Sequence, residues 1–265
     1  MSSTESHDDK SITSTHHHEN ISRVQITGEG QEFVIINNRK YYRHDLMKAF
    51  GGYLNPGVSP YPEININPAP LGLCAFALTN LVICLYNARA MGITIPNAIA
   101  GLGCFYGGGI QMLAGFGEFW TGNTFAFTAL TSYGAYWISY AVLFLDSFGI
   151  KQAYEGTGQW EQAQALFMLP WVIITFLLWL NTLKSTVAFS GLFFFLLMTY
   201  ILFTAGLMTG NFGCTRAGSV MGVITSTFAW WNAFAGVATP YNSYFLLPSI
   251  PMPDNTFLKL KWFKS

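Results

Sequence analysis

The chain has 265 residues, of which 51% are hydrophobic, 17% aromatic and only 10% charged. Soluble domains carry about 25% charged residues, so this composition excludes water as the main solvent of the fold and points to lipid. Thirteen basic and thirteen acidic side chains cancel, and no basic patch is available to neutralise a nucleic-acid backbone.

Residues 1–30 are polar, with Asp8, Asp9 and the run His16-His17-His18. They offer too little apolar surface to offset the entropy of ordering, so a disordered tail is expected. The three histidines have no second ligand cluster beside them, which favours a solvated tail over a metal site. No apolar stretch of the secretory type precedes the first span, which is therefore expected to direct its own insertion. Weak alternation over Glu32 to Ile36 predicts a short strand. Tyr41, Tyr42, Leu46, Met47 and Phe50 recur at helix-like spacing among charges, which predicts an amphipathic membrane-surface segment near 39–50. Gly51 and Gly52 end it, and Pro56, Pro60 and Pro62 mark a connector.

Next comes Asn67-Pro68-Ala69-Pro70. Prolines suit a first helical turn, where amide hydrogens lack helical partners, and Asn67 occupies the N-cap position. Free N–H groups and the positive end of a helix dipole make this start a binding place for a small anion.

Beyond Asn67, charges punctuate uncharged intervals of bilayer length, ~20 residues each. Trimmed by turn signals, six helices are predicted near 69–88, 96–117, 122–146, 163–183, 187–208 and 217–240. The expected fold class is an all-α integral membrane protein. Residues 1–66 are expected to form a cytoplasmic N-terminal tail, 67–245 the six-helix membrane domain, and 246–265 a cytoplasmic C-terminal tail. The basic residues of the N-terminal tail, with Lys259, Lys261 and Lys264 after the last span, place both termini on the positive side. Asn20, in the only Asn-X-Ser/Thr site, then stays unglycosylated. Gly103/Gly107, Gly206/Gly210 and Gly218/Gly222 have the spacing that lets helix backbones approach in lipid. Three such faces exceed the needs of one bundle, so some are expected to serve subunit contacts. Gly107-Gly108-Gly109 marks a flexible or broken point.

The chemistry available inside the spans is narrow. Every histidine lies in the N-terminal tail, so a serine or cysteine nucleophile would have no base. Cys74, Cys84, Cys104 and Cys214 show no ligand spacing. Enzyme activity, metals and cofactors are therefore not expected. The spans do carry neutral polar and aromatic residues, including Asn67, Thr79, Gln111, Asn123, Thr131 and Tyr133. Such groups replace part of a small solute's hydration without placing a charge in the membrane, or else tie helices together. Glu118, at the end of the second span, reads either as an interfacial charge or as a proton carrier. Asn67-Pro68-Ala69 also matches the Asn-Pro-Ala of water channels, but those require a second copy and none is present.

Asn67 to Leu73, NPAPLGL, resembles the signature of the acetate uptake transporter family, the yeast and bacterial acetate–succinate permeases. Asn87-Ala88-Arg89-Ala90, Phe105-Tyr106-Gly107-Gly108, Gly122-Asn123-Thr124-Phe125, Thr131-Ser132-Tyr133-Gly134, Thr182-Leu183-Lys184-Ser185-Thr186 and Asn242-Ser243-Tyr244 look like its fungal members. The resemblance spans about residues 40–245. It implies six helices per subunit, a pore through each, a homohexamer, and proton-linked passage of acetate and other short monocarboxylates across the plasma membrane. It also implies a pore constriction at Phe76, Tyr133 and Leu196, with Ala229 helping to set substrate size. The run Phe193-Phe194-Phe195 departs from the family pattern around Leu196. Relatives with an ammonia or ammonium export role supply an alternative, and a membrane sensor or scaffold acting through the tail is a third.

Overall fold

The computed structural model describes residues 25–28, 32–43, 45–46 and 66–253. The chain forms two compact units, 1–64 and 65–265. His16–His18, Asn20, Met47 to Phe50, the Pro56/Pro60/Pro62 connector and Lys259, Lys261 and Lys264 fall outside the described residues.

The first unit holds a three-stranded antiparallel sheet, β1 (Gln25–Thr27), β2 (Phe33–Ile36) and β3 (Arg39–Tyr42), in the order β1-β2-β3. Asn37 and Asn38 join β2 to β3 with φ of 49° and 62°. Asparagine tolerates this left-handed backbone, and two such residues in series make the turn that matches strand twist. Phe33 stands opposite Tyr42 with ring centroids 4.9 Å apart, and the Lys40 ammonium sits 3.8 Å from the Phe33 ring centre. The amphipathic segment expected near 39–50 thus begins as a strand and not as a helix, and the fold is not purely α. The helix-like spacing of Tyr41 and Tyr42 is local, whereas the Asn-Asn turn delivers them to a β-rich partner strand.

The second unit consists of six long helices: α1 (Ala69–Asn87), α2 (Ile99–Thr121), α3 (Thr124–Val142), α4 (Trp160–Thr182), α5 (Val187–Thr209) and α6 (Phe212–Val237). All but α3 are long and apolar enough to cross a membrane on length and hydropathy. The 19-residue α3 carries Thr, Ser and Tyr that lower its hydropathy, yet it packs among the others. The fold is a six-helix integral membrane bundle.

Local chemistry sets the helix ends. Asn123, Thr186 and Asn211 cap α3, α5 and α6, accepting from the N–H groups of Ala126, Phe189 and Gly213 at 3.1, 3.2 and 2.8 Å. Gly122 and Gly210, at φ 74° and 65°, close α2 and α5 in the left-handed conformation. Charge punctuation misplaces two boundaries. Glu118 is buried within α2, which runs on to Thr121, and α6 starts at Asn211 and passes through Arg216. The Gly107-Gly108-Gly109 run forms one wide π turn, Phe105–Ile110, inside a continuous α2.

Each helix packs chiefly on its ring neighbour in the order α3, α2, α1, α6, α5, α4. Aromatic contacts close the ring between α3 and α4, with Tyr136 4.9 Å from Trp171. The glycine pairs are consumed inside this ring. A Cβ on Gly222 would lie 2.2 Å from the Cys84 sulfur on α1, one on Gly107 2.6 Å from Thr79, and one on Gly218 2.8 Å from Phe203. Gly210 is a cap. The expectation that these pairs serve subunit contacts is therefore corrected: close approach of neighbouring helices within one chain accounts for them. After α6 the chain returns to the α4–α5 turn, where the N–H of Val187 donates to Ile250 and that of Met252 to Ser185.

Candidate substrate pathway through the helix ring

At the end of the ring where α1, α3 and α5 finish lies a cavity of about 260 Å³. Residues from every helix but α2, and from two loops, line it, among them Asn87, Asn97, Tyr140, Asp146, Lys151, Gln164, Phe203 and Thr215. Asn87, Tyr140, Met168 and Phe203 also line a second, deeper cavity of about 10 Å³, walled by Asn80, Ile83, Tyr136, Trp137, Leu196, Thr199 and Tyr200. A space of that size holds about one water. A wide mouth therefore narrows to a throat that ends at Leu196.

Phe76 and Tyr133 line neither cavity. They lie one helical turn farther from the mouth than Asn80 and Tyr136, with ring centroids 6.2 Å apart. Trp171 and Phe193 stand 5.9 and 6.5 Å from the Tyr133 ring. The Tyr133 hydroxyl lies 2.8 Å from that of Thr175 on α4. Ala229 is fully buried on α6, one turn past Ser226 in the same direction. Phe76 and Tyr133 thus stand together beyond the throat, Leu196 lines the throat itself, and Ala229 is buried on α6.

The polar residues divide into two kinds. Asn80 ties helices together, its Nδ2 donating to the Gly222 carbonyl at 2.8 Å and to Ser226 Oγ at 2.9 Å. Most hydroxyls instead return to their own helix: Thr79 donates to Ala75, Thr131 to Phe127 and Thr199 to Phe195. Thr79 faces Gly107, and Thr131 faces Gly115. Gln111 is fully buried on α2 and lines neither cavity, and neither polar atom of its amide has a partner among the described residues. Thr79 and Thr131 therefore sit between helices.

At the end opposite the mouth are Asn67, Glu118 and Asn123. Asn67 is exposed and its Oδ1 accepts from the N–H of Ala69 at 3.1 Å; Pro68 takes the formal N-cap position. Asn123 is spent on its cap. Glu118 is 2% exposed; its Oε2 accepts from Thr121 Oγ1 at 3.1 Å, and its Oε1 has no partner among the described residues. A buried carboxylate oxygen without a donor is rare and calls for water or a proton. Met168, Trp137, Phe203 and Asn87 were not legible as pathway residues in the sequence. Three are apolar and alike to any core residue, and Asn87 reads as a helix end.

A ring of six membrane helices, with a mouth that tapers through hydroxyls and amides to an aromatic closure, defines a membrane transporter or channel for small solutes. Residues 50–254 match the GPR1/FUN34/yaaH family, and the chain belongs to that family. It is 44% identical over 244 residues to Ammonia transport outward protein 2 of Saccharomyces cerevisiae, covering 91% of this chain and 86% of that one. It is 38% identical over 221 residues to Acetate permease A of Emericella nidulans, covering 78% and 74%. Among solved structures it matches the bacterial acetate channel SatP with a TM-score of 0.62 and 29% identity, covering 69% of this chain and 98% of the other.

Proposed function

We propose that the chain is a plasma-membrane permease or channel for acetate and other short-chain monocarboxylates, moving each acid together with a proton. The observation that carries this reading is the taper from about 260 to about 10 Å³ into uncharged walls. A carboxylate passing Leu196, Tyr133 and Phe76 would shed most of its water in a low-dielectric throat, a cost of several kcal/mol that the neutral acid avoids. Small size and a protonated form are what this passage admits. The named acetate permease and acetate channel among its relatives agree with that substrate class.

In this reading Phe76, Tyr133 and Leu196 gate, Ala229 sets the width beside them, and Asn67 with the start of α1 receives the carboxylate at the far end. Glu118 takes up the proton there. Both termini are cytoplasmic, so the mouth faces outward. Outward-facing Phe105, Trp120, Leu166 and Ile173, each more than half exposed on a single chain, meet lipid or further copies in a homohexamer. Radiolabelled acetate flux into proteoliposomes, with and without an inward proton gradient, tests the proposal. Gradient-stimulated uptake is expected; uptake indifferent to the gradient defeats the proton coupling, and no uptake defeats the permease.

A second reading, ammonium export, is favoured by Asp146 in the mouth and by aromatic faces at Phe76 and Tyr133, which attract cations. Competition decides between them. Acetate permeation is inhibited by propionate, whereas ammonium export is measured as ammonium flux that propionate leaves untouched.

A further inference from the structure

The mouth carries information about charge that the throat lacks. Of its lining residues only Asp146 and Lys151 are of an acidic or basic type, and both belong to the α3–α4 connection. That connection is built and held. Two short helical turns, Asp146–Phe148 and Gln152–Tyr154, are closed by main-chain bonds from Gly149 to Asp146 and from Tyr154 to Lys151. Tyr154 packs its ring 5.6 Å from that of Trp160 at the start of α4. Lys151 is exposed to water, and its ammonium makes no ion pair or hydrogen bond among the described residues. Asp146 accepts one weak bond from Gln152 Nε2 at 3.3 Å. Two other cations lie near this end and neither lines the cavity: Arg89 is stacked over the Phe212 ring at 4.1 Å, and Arg216, next to the lining Thr215, is exposed.

An ammonium without an ion pair in a concave site attracts a carboxylate, and the Asp146 carboxylate in the same cavity repels a second negative group. The volume of the mouth exceeds what acetate needs, so size alone does not reject a larger diacid there. We infer that the mouth is a receiving site for monocarboxylate anions, in which Lys151 binds the carboxylate and Asp146 turns away dicarboxylates before the throat is reached. This rests on the permease reading above and adds to it the ionic form received at the mouth and the residues that sort it.

The test uses the full chain in proteoliposomes and initial rates of radiolabelled acetate uptake over a range of concentrations. Exposed charge pairs have modest strength, so Lys151→Gln is expected to raise KM about two- to fivefold with the maximal rate unchanged. At about 1 M salt, where the screening length falls to about 3 Å, the two proteins should converge. Lys151→Arg should restore the original KM. Asp146→Asn should make succinate a stronger competitor of acetate uptake by a similar factor while leaving the acetate KM equal or lower. A Lys151→Gln protein with an unaltered KM at low salt, or a shift that survives about 1 M salt, overturns the receiving site while wild-type uptake leaves the permease standing. An Asp146→Asn protein no more sensitive to succinate overturns the sorting role. Wild-type liposomes that take up no acetate overturn the permease and this site together.

Discussion

The hydroxyls of Tyr133 and Thr175 lie 2.8 Å apart in the buried interior, and this bond joins α3 to α4 where the helix ring closes. It also fixes the ring of Tyr133 against Phe76. Thr175→Val keeps the shape and removes the partner, leaving the Tyr133 hydroxyl buried without a bond at a cost of about 1–3 kcal/mol. The expected outcome is a lower Tm in detergent together with a looser closure, read as faster propionate uptake relative to acetate. A variant with unchanged Tm and unchanged acid preference would show that the bond neither stabilises nor gates.

Close approach of α1 and α6 depends on a missing side chain. Gly222→Ala would place a methyl group 2.2 Å from Cys84 Sγ, so the helices must part or the cysteine must move. Overpacking of this kind costs about 1–3 kcal/mol. Cys84→Ala removes the sulfur and leaves nothing nearer than Thr199 Cγ2 at 3.4 Å, an ordinary van der Waals contact. The double variant should therefore be more stable than the sum of the two single changes implies, a favourable coupling seen in a thermal-denaturation cycle. Additive losses would mean that the contact is relieved elsewhere.

Substrate size should follow the bulk at the throat's end. Leu196 lines the throat and Ala229 is buried on α6. Leu196→Val or Ala229→Gly each costs about 1 kcal/mol of stability and enlarges the passage by roughly one carbon. Lactate uptake is expected to rise several-fold over the parent in either variant while acetate uptake persists. An unchanged range of acids would place the narrowest point elsewhere on the axis.

Much of the membrane fold is visible in the sequence because lipid demands uncharged lengths and because caps such as Asn123, Thr186 and Asn211 announce helix starts. The six spans lie within a few residues of their expected limits, apart from the two ends where a charge does not mark a boundary. Glu118 is carried inside α2, and Arg216 is exposed within α6. Reach across the ring is less visible. Asn80 and Thr79 are adjacent polar residues of one helix, yet one ties α1 to α6 and the other bonds its own helix and faces Gly107. Only the ring order decides which side each faces. Gln111, equally polar in sequence, ends fully buried away from both cavities, and Lys151 reads as loop punctuation until the loop comes to line the mouth. The sheet at Arg39–Tyr42 escapes notice because its partner is supplied by a turn and not by periodicity.

Glu118 separates two ways of moving the proton. If the acid crosses already neutral, the proton travels on the substrate and no protein group is needed. If the proton is released or taken up at the end of the pathway opposite the mouth, the buried carboxylate whose Oε1 has no partner among the described residues is the group placed to do it. Glu118→Gln keeps the size and the Thr121 contact while removing the exchangeable proton. We expect exchange of labelled for unlabelled acetate at equal pH to continue at close to the parental rate. The extra uptake driven by an acidic exterior should fall several-fold, because driving needs net proton release inside whereas exchange does not. Loss of both activities would indicate a structural role for the carboxylate, detectable as a lowered Tm. Full retention of gradient-driven uptake would leave the proton on the acid throughout and remove Glu118 from the mechanism.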